Sequence, residues 1–253
     1  MSAANPPVRQ AHASLYHGAK TAGVVAYLVA TAALVDLLTT TETKRRVTRR
    51  LRARLVRRWR IFRRGEYLVA FRRRRFRNVR GSGRLLRLST VHRVSAWRDL
   101  WVHRRVLVDR VTDEKYLILV VHLAARVESG SRYRSDARYA KDVRTHREGI
   151  EALGERIAAE QDAHPDWHVI VAGDFNTNFR DPAWIEHTED TTGLTPCWKD
   201  HDPKGGTHDG GRAIDAICAD EDDIEFTAAR RSPVKKPDDV DHVGVFARYR
   251  PAA

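Results

Sequence analysis

Trp167-His168-Val169-Ile170-Val171-Ala172-Gly173-Asp174-Phe175-Asn176 is a short apolar run, rich in β-branched residues, that stops at a glycine. It then offers a carboxylate and a carboxamide two positions apart. Such a run reads as a buried strand. On an extended backbone residues i and i+2 share a face, so Asp174 and Asn176 are expected to converge at the strand's C-terminal end. There they could hold a water molecule and an oxyanion together. Gly-Asp and Asp-x-Asn also occur in ordinary strand-to-loop turns, so the weight falls on what surrounds the run.

Upstream, a polar Ser/Gly/Arg loop over 126–136 leads into a long amphipathic helix, with Tyr139, Val143, Ile150, Leu153 and Ile157 near one face. His164-Pro165-Asp166 breaks it before the Asp174 strand. Earlier strand-like runs lie at 66–71, 85–91, 100–108 and 116–123, the last two flanking a short polar turn at Asp113-Glu114 that reads as a hairpin. Before them the pattern gives a helix over 16–30, a strand over 34–40 ending at Glu42, and a basic helix over 43–59 with Val47, Leu51, Leu55, Val56 and Trp59 as its stripe. Later strands are expected at 213–218, 224–229 and 243–249. Residues 1–15, rich in Ala, Pro and Asn, are expected to be irregular, and 16–253 to form one domain. Several strand pairs are joined too tightly for crossover helices, which favours a two-sheet α/β sandwich with flanking helices over a doubly wound parallel sheet.

The formal net charge is +13, concentrated in residues 44–80, where arginines dominate and Glu66 is the only acid. A basic field of this size attracts polyanions, nucleic acid first among them. An arginine bias of composition, with part of this surface merely solvated, is the blander account. Cys197 and Cys218 are too few for a disulfide framework or a zinc site. The apolar stretch 23–35 is shorter than the roughly 20 residues that span a bilayer and lacks a convincing cleavage site. It reads as a buried helix running into a buried strand, with secretion or anchoring the minority alternative. The expectation is therefore a cytoplasmic protein with no membrane association and no obligate protein partner, its compressed N-terminus compatible with a viral protein acting in a host cell.

Four further segments occur in order around the Asp174 strand: Leu37-Leu38-Thr39-Thr40-Thr41-Glu42-Thr43-Lys44, Leu117 to His122-Leu123, Gly210-Gly211-Arg212-Ala213-Ile214-Asp215-Ala216-Ile217, and Asp238-Asp239-Val240-Asp241-His242-Val243. Singly each has an ordinary explanation: a solvated Glu, a core His, a loop-end Asp-His pair. An Asp inside an apolar strand is costly to bury without a partner, which makes a paired role for Asp215 the better reading. Together with Gly173-Asp174-Phe175-Asn176 the set resembles the endonuclease/exonuclease/phosphatase superfamily, the deoxyribonuclease I-like fold, over about 34–249. The resemblance implies a divalent-metal-dependent phosphodiesterase acting on nucleic acid, DNA foremost, with little sequence preference. Glu42 and Asp241 would be the oxygen ligands of Mg²⁺ or Mn²⁺. His122, Asp174, Asn176, Asp215 and His242 would be the catalytic set, with Asp215 orienting His242. Members of the superfamily usually open with a strand ending in a metal-binding Asn. Here the available residue is Asn5, followed by Pro6-Pro7, so the first strand is expected to be truncated, reshaped or absent. Lys44, two residues past Glu42, would meet phosphate if the strand continued; otherwise it opens the basic helix. A phosphomonoesterase or phospholipid diesterase on the same scaffold, and a non-catalytic nucleic-acid-binding protein, are the alternatives.

Overall fold

In the computed structural model, which describes residues 6–15, 19–88, 100–125, 127, 136–202 and 204–252, residues Trp167–Asp174 form a strand buried from Val169 onward. In the sheet it lies parallel to Lys115–His122 and antiparallel to Asp215–Ala219. Gly173 is required by this packing, because a Cβ there would sit 2.4 Å from the Val121 carbonyl oxygen of the neighbouring strand. The glycine of the motif therefore serves strand-to-strand contact.

Numbering in chain order, the first half holds β1 (Val8–Ser14), α1 (Thr21–Leu34), β2 (Leu37–Thr41), α2 (Arg45–Leu55), β3 (Trp59–Arg64), β4 (Tyr67–Arg72), β5 (Phe76–Asn78), β6 (Arg84–Arg87) and β7 (Trp101–Asp109). The second half holds β8 (Lys115–His122), α3 (Asp136–Ala163), β9 (Trp167–Asp174), α4 (Pro182–Thr192), β10 (Thr195–Pro196), β11 (Asp215–Ala219), β12 (Ile224–Arg231) and β13 (Val245–Pro251). One sheet runs β12-β13-β1-β2-β4-β3, and the other β10-β11-β9-β8-β7-β5 with β6 also on β7. Leu37, Val69, Phe71, Val245 and Tyr249 of the first sheet meet Leu117, Leu119 and Val171 of the second in the larger core, to which Ile150, Leu153 and Ile157 of α3 also belong. On the outer face of the first sheet Ala11, Ala13, Leu38, Leu68 and Ala70 pack with Val24, Leu28 and Ala32 of α1 and Val47 and Leu51 of α2. The layers are helix, sheet, sheet, helix, as the tight strand connections required.

Differences from the sequence reading have local causes. Residues 8–14, expected to be irregular, are β1, a central strand with β2 on one side and β13 on the other. Its inward residues Gln10, His12 and Ser14 are polar and buried, which conceals the usual apolar alternation. The basic helix ends at Leu55, and Trp59 opens β3 instead of extending the helical stripe. Trp59 and Ile61 share a face at period 2 just as Leu55 and Trp59 would at period 4, so apolar spacing alone could not decide. α4 was not anticipated although its punctuation is present: Asp181 caps it by accepting from Ala183 N, Pro182 stands at the first turn, and Gly193 closes it with φ 66°. The apolar segment is α1, and among the described residues no helix is long and apolar enough to cross a membrane. Residues 89–91 of an expected strand, residues 16–18 of the expected first helix, Asn5 and most of the 126–136 loop lie outside the described residues.

Part of the arginine excess is structural. Arg72 donates to the carbonyls of Ala32, Ala33 and Val35 at the C-terminal end of α1, where a cation also complements the helix dipole. Arg75 pairs with buried Asp109 at 2.6 Å, and Arg104 grips Glu160 of α3 through two bonds of 2.6 Å.

Candidate active site

Strand register assembles the centre. His122 on β8 stands beside Asp174 on β9, and Asp174 stands beside Asp215 on β11. Three chemically active side chains thus occupy one row at adjacent strand spacings of about 4.8 Å. The C-terminal ends of the parallel pair β1 and β2 face this row from the first sheet. Ser14, the last residue of β1, donates to Asp174 Oδ2 at 3.4 Å and receives from Thr41 Oγ1 at 2.9 Å.

His242, on the loop before β13, completes the cluster. Its Nδ1 lies 2.7 Å from Asp215 Oδ2, and its Nε2 lies 3.7 Å from Asp174 Oδ2. His122 mirrors it, with Nε2 also 3.7 Å from Asp174 Oδ2 and Nδ1 3.1 Å from Glu66 Oε1. Asp174 is therefore flanked by two imidazoles, each held from behind by its own carboxylate. His122 keeps 23% of its side chain exposed, which distinguishes it from a histidine lost in the core.

Electrostatics follow from burial set against charge. Burial disfavours the imidazolium of His242, but Asp215, Asp174 and Asp241 outweigh it and lift the group to about 10. His122 is likewise lifted against burial, by Glu66, Asp174 and Glu42, to about 9. Burial pushes Asp174 up and Asp215 adds to it, with the two histidines opposing. Both imidazoles are thus charged at neutral pH.

Glu42 follows directly on β2 with φ 53°. Only two other described non-glycine residues have positive φ, Asp113 in the β7–β8 turn and Asn176 at 56°. Left-handed backbone at two site residues is strain that the surrounding structure must hold in place. Burial raises Glu42 to about 7, with Asp174 and Glu66 adding to the rise, and Asp241 Oδ1 is buried without a hydrogen-bond partner. Crowded carboxyl groups with an orphaned oxygen and hard oxygen donors are what a small divalent cation would satisfy. His208, Asp241 and His242 also bring their ligand atoms within 4.8 Å of one another. The other such group, Asp174, Asp215 and His242, is already engaged internally through the Asp215–His242 bond.

Of the anticipated residues, Glu42, His122, Asp174, Asn176, Asp215, Asp241 and His242 come together at one end of the sandwich. Asn176 does so differently from expectation. The strand ends at Asp174, so the shared-face argument does not apply. Asn176 instead donates its backbone N–H to Asp174 Oδ1 at 3.0 Å and its side-chain amide to the Leu123 carbonyl at 3.0 Å. Lys44 does not continue β2; it is the N-cap residue of α2, its carbonyl accepting from Thr48 N. Asn5 lies outside the described residues, and the end of the first strand is occupied by Ser14.

Three participants have no role assigned by the sequence reading, although Thr207 and His208 lie in the loop that leads to the Asp215 strand. Glu66 sits in the β3–β4 turn and was visible only as the single acid of the basic region. Thr207, buried, accepts from the N–H groups of both Ile214 and Asp215 at 3.0 Å each, and its carbonyl receives Val243 N. It thereby ties the Asp215 strand to the His242 loop. His208 pairs with His242 in an isolated bridge and places its ring edge-on at 5.1 Å.

No protein-family model matches the sequence, and no curated protein matches it. Solved structures do. The chain is similar to an endonuclease/exonuclease/phosphatase from Bacteroides vulgatus, with a TM-score of 0.73 at 13% identity over 97% of this chain and 99% of that one. It is similar to a mannosyl-6-phosphatase of Bacteroides thetaiotaomicron, with a TM-score of 0.70 at 12% identity, covering 97% and 100%. It is also similar to D. rerio TDP2 complexed with a single-stranded DNA product, with a TM-score of 0.66 at 16% identity, covering 96% and 99%. At such identities the likeness is one of fold. The chain has the two-sheet α/β sandwich fold of the endonuclease/exonuclease/phosphatase superfamily.

Proposed function

We propose that the protein is a divalent-metal-dependent phosphoric ester hydrolase acting on the phosphodiester backbone of nucleic acid, DNA foremost, with little sequence preference. The observation that carries this reading is Asp174 flanked by His122 and His242 at the end of the sandwich that also bears the carboxylates Glu42 and Asp241. Glu42 and Asp241 would hold Mg²⁺ or Mn²⁺, which when bound neutralises phosphate charge and acidifies water.

The side chains divide the remaining work. Asp174, steadied by the Asn176 N–H on one oxygen, orients the attacking water and accepts its proton. His242 is charged and held at Nδ1 by Asp215, so its Nε2–H stabilises a developing phosphoryl oxyanion. His122, held by Glu66, presents a second Nε2–H to a non-bridging oxygen or to the leaving oxygen. The raised imidazoles suit donors and leave the base role to Asp174.

The polyanionic substrate is supported by α2, which begins three residues after Glu42. Arg45 and Arg46 are exposed in its first turn, which holds no acid. A cation there opposes the helix dipole by about 0.3–1 kcal/mol, so stability does not account for the pair, whereas phosphate binding at a helix N-terminus does. Arg49 and Arg50 extend the exposed charge along the helix.

Nicking of supercoiled plasmid with Mg²⁺ or Mn²⁺, beside EDTA and His242→Ala controls, tests the reading. Nicking lost in both controls is expected. Salt-sensitive DNA retention without cleavage would overturn catalysis, and turnover confined to small phosphomonoesters would overturn the nucleic-acid substrate.

A further inference from the structure

We propose that His12 is a positioning residue for the hydrolysis, its Nε2–H donating to the second carboxylate oxygen of Asp215 so that Asp215 is gripped between two imidazoles. The proposal rests on the hydrolase reading above and concerns a residue on β1, outside the five sequence segments that carry the resemblance. His12 lies in the middle of β1, paired with Thr39 on β2 and Val245 on β13. Its side chain is fully buried and points between the sheets.

Asp215 is also fully buried. Its Oδ2 is satisfied by His242, but its Oδ1 has no hydrogen-bond partner, and neither does His12 Nε2. These two orphaned atoms face each other at 3.9 Å. A carboxylate oxygen left bare in a dry interior is costly, and a shift of about 1 Å brings the pair into hydrogen-bond range.

Proton placement makes the contact specific. Burial holds His12 neutral, down to about 3, so the ring carries one N–H. Were the proton on Nδ1, the Nε2 lone pair would confront a carboxylate. With the proton on Nε2 a donor meets an acceptor, and Nδ1 accepts from the Thr39 hydroxyl 3.1 Å away. Thr39 then gives up its longer 3.3 Å bond to the Ala11 carbonyl. This single arrangement satisfies all three groups, and the chain Thr39–His12–Asp215–His242 runs from β2 to the reacting centre.

Without His12, Asp215 is free to rotate about its side chain, and His242 loses its fixed ring orientation. Supporting partners of this kind are worth about 10–100-fold. His12→Ala is therefore expected to lower kcat by about 10–100-fold with KM unchanged. His12→Gln, whose amide nitrogen reaches the same place, should restore turnover to within a few-fold.

The test combines kinetics on a phosphodiester with tautomer-sensitive ¹⁵N NMR of the histidines in the intact protein. The Nε2–H tautomer of His12 and rescue by His12→Gln are expected. An Nδ1–H tautomer, or an active wild type indifferent to His12→Ala, would overturn the proposal. If His12→Ala does not fold, the wild-type tautomer and His12→Gln decide. A wild type that hydrolyses no phosphoric ester would overturn the hydrolase reading itself, whereas the NMR reports the contact without turnover.

Discussion

Exchanging Asp215 for Asn keeps the side chain's shape and removes its charge. In the native site that charge lies 2.7 Å from His242 Nδ1. Burial alone would drive His242 below its ordinary value; Asp215, by charge and then by hydrogen bond, leads the carboxylates that lift it to about 10. A raised imidazole stabilises the fold fully below its unfolded value of 6.5, and the contribution is lost as pH rises through about 10. Each pH unit of that window is worth at most about 1.4 kcal/mol, which sets a ceiling of about 5 kcal/mol. Asp174 and Asp241 supply smaller shares and the burial penalty stays, so Asp215→Asn should remove more than half, about 3–5 kcal/mol. Urea denaturation in EDTA at about pH 6 and about pH 9.5 reads the difference. EDTA keeps out cations, which would themselves lower His242, and His122 titrates alike in both proteins. Wild-type stability should fall on the alkaline side by more than that of the variant, and turnover of the variant should drop by about 10²–10⁴-fold. Parallel alkaline limbs, or a fully active variant, would refute the coupling between Asp215 and His242.

Replacing Arg45 and Arg46 together by Ala should flatten the salt dependence of DNA binding by about two units of slope and leave turnover of a small chromogenic diester unchanged; an unaltered slope removes α2 from the nucleic-acid path. Thr207→Val strands the N–H groups of Ile214 and Asp215, so thermal unfolding should show a loss of about 1–3 kcal/mol for each, with kcat falling as Asp215 loses its anchor. Ile157→Ala, on the fully buried face of α3, should cost about 2–5 kcal/mol in denaturant with kcat retained at low temperature; a parallel loss of kcat would tie α3 packing to the site.

The sandwich was legible wherever a strand is apolar on both faces. β8 and β9 are covered by the first sheet on one side and by helices on the other, so Leu117–Val121 and Val169–Ala172 form unbroken apolar runs that announce themselves. β3 was hidden because its arginines alternate with Trp59 and Ile61 at a spacing that also fits the preceding helix. The polar loops that bear His208 and Thr207 carry no periodic signal, and their importance arises only when the Asp215 strand and the His242 loop are brought together.

For the site the rule is reversed, and this explains which half of it could be read. Asp174, His122 and Asp215 terminate or open loud apolar strands, so each appears as a polar residue out of place. Across the gap, β1 and β2 turn Gln10, His12, Ser14, Thr39 and Thr41 inward, and every one of them is buried. A strand whose inner face forms the floor of a polar site cannot show an apolar alternation, and composition then reports it as irregular. Each inward polar residue of β1 has a specific companion in the interior: Gln10 accepts from Tyr249, His12 faces Thr39 and Asp215, and Ser14 binds Asp174. Buried polar groups are costly without partners, so the features that concealed β1 are the contacts that place it at the site. The first strand is hidden for this reason: an apolar alternation is what a strand shows in sequence, and here the chain supplies a polar inner face ending in the Ser14 hydroxyl.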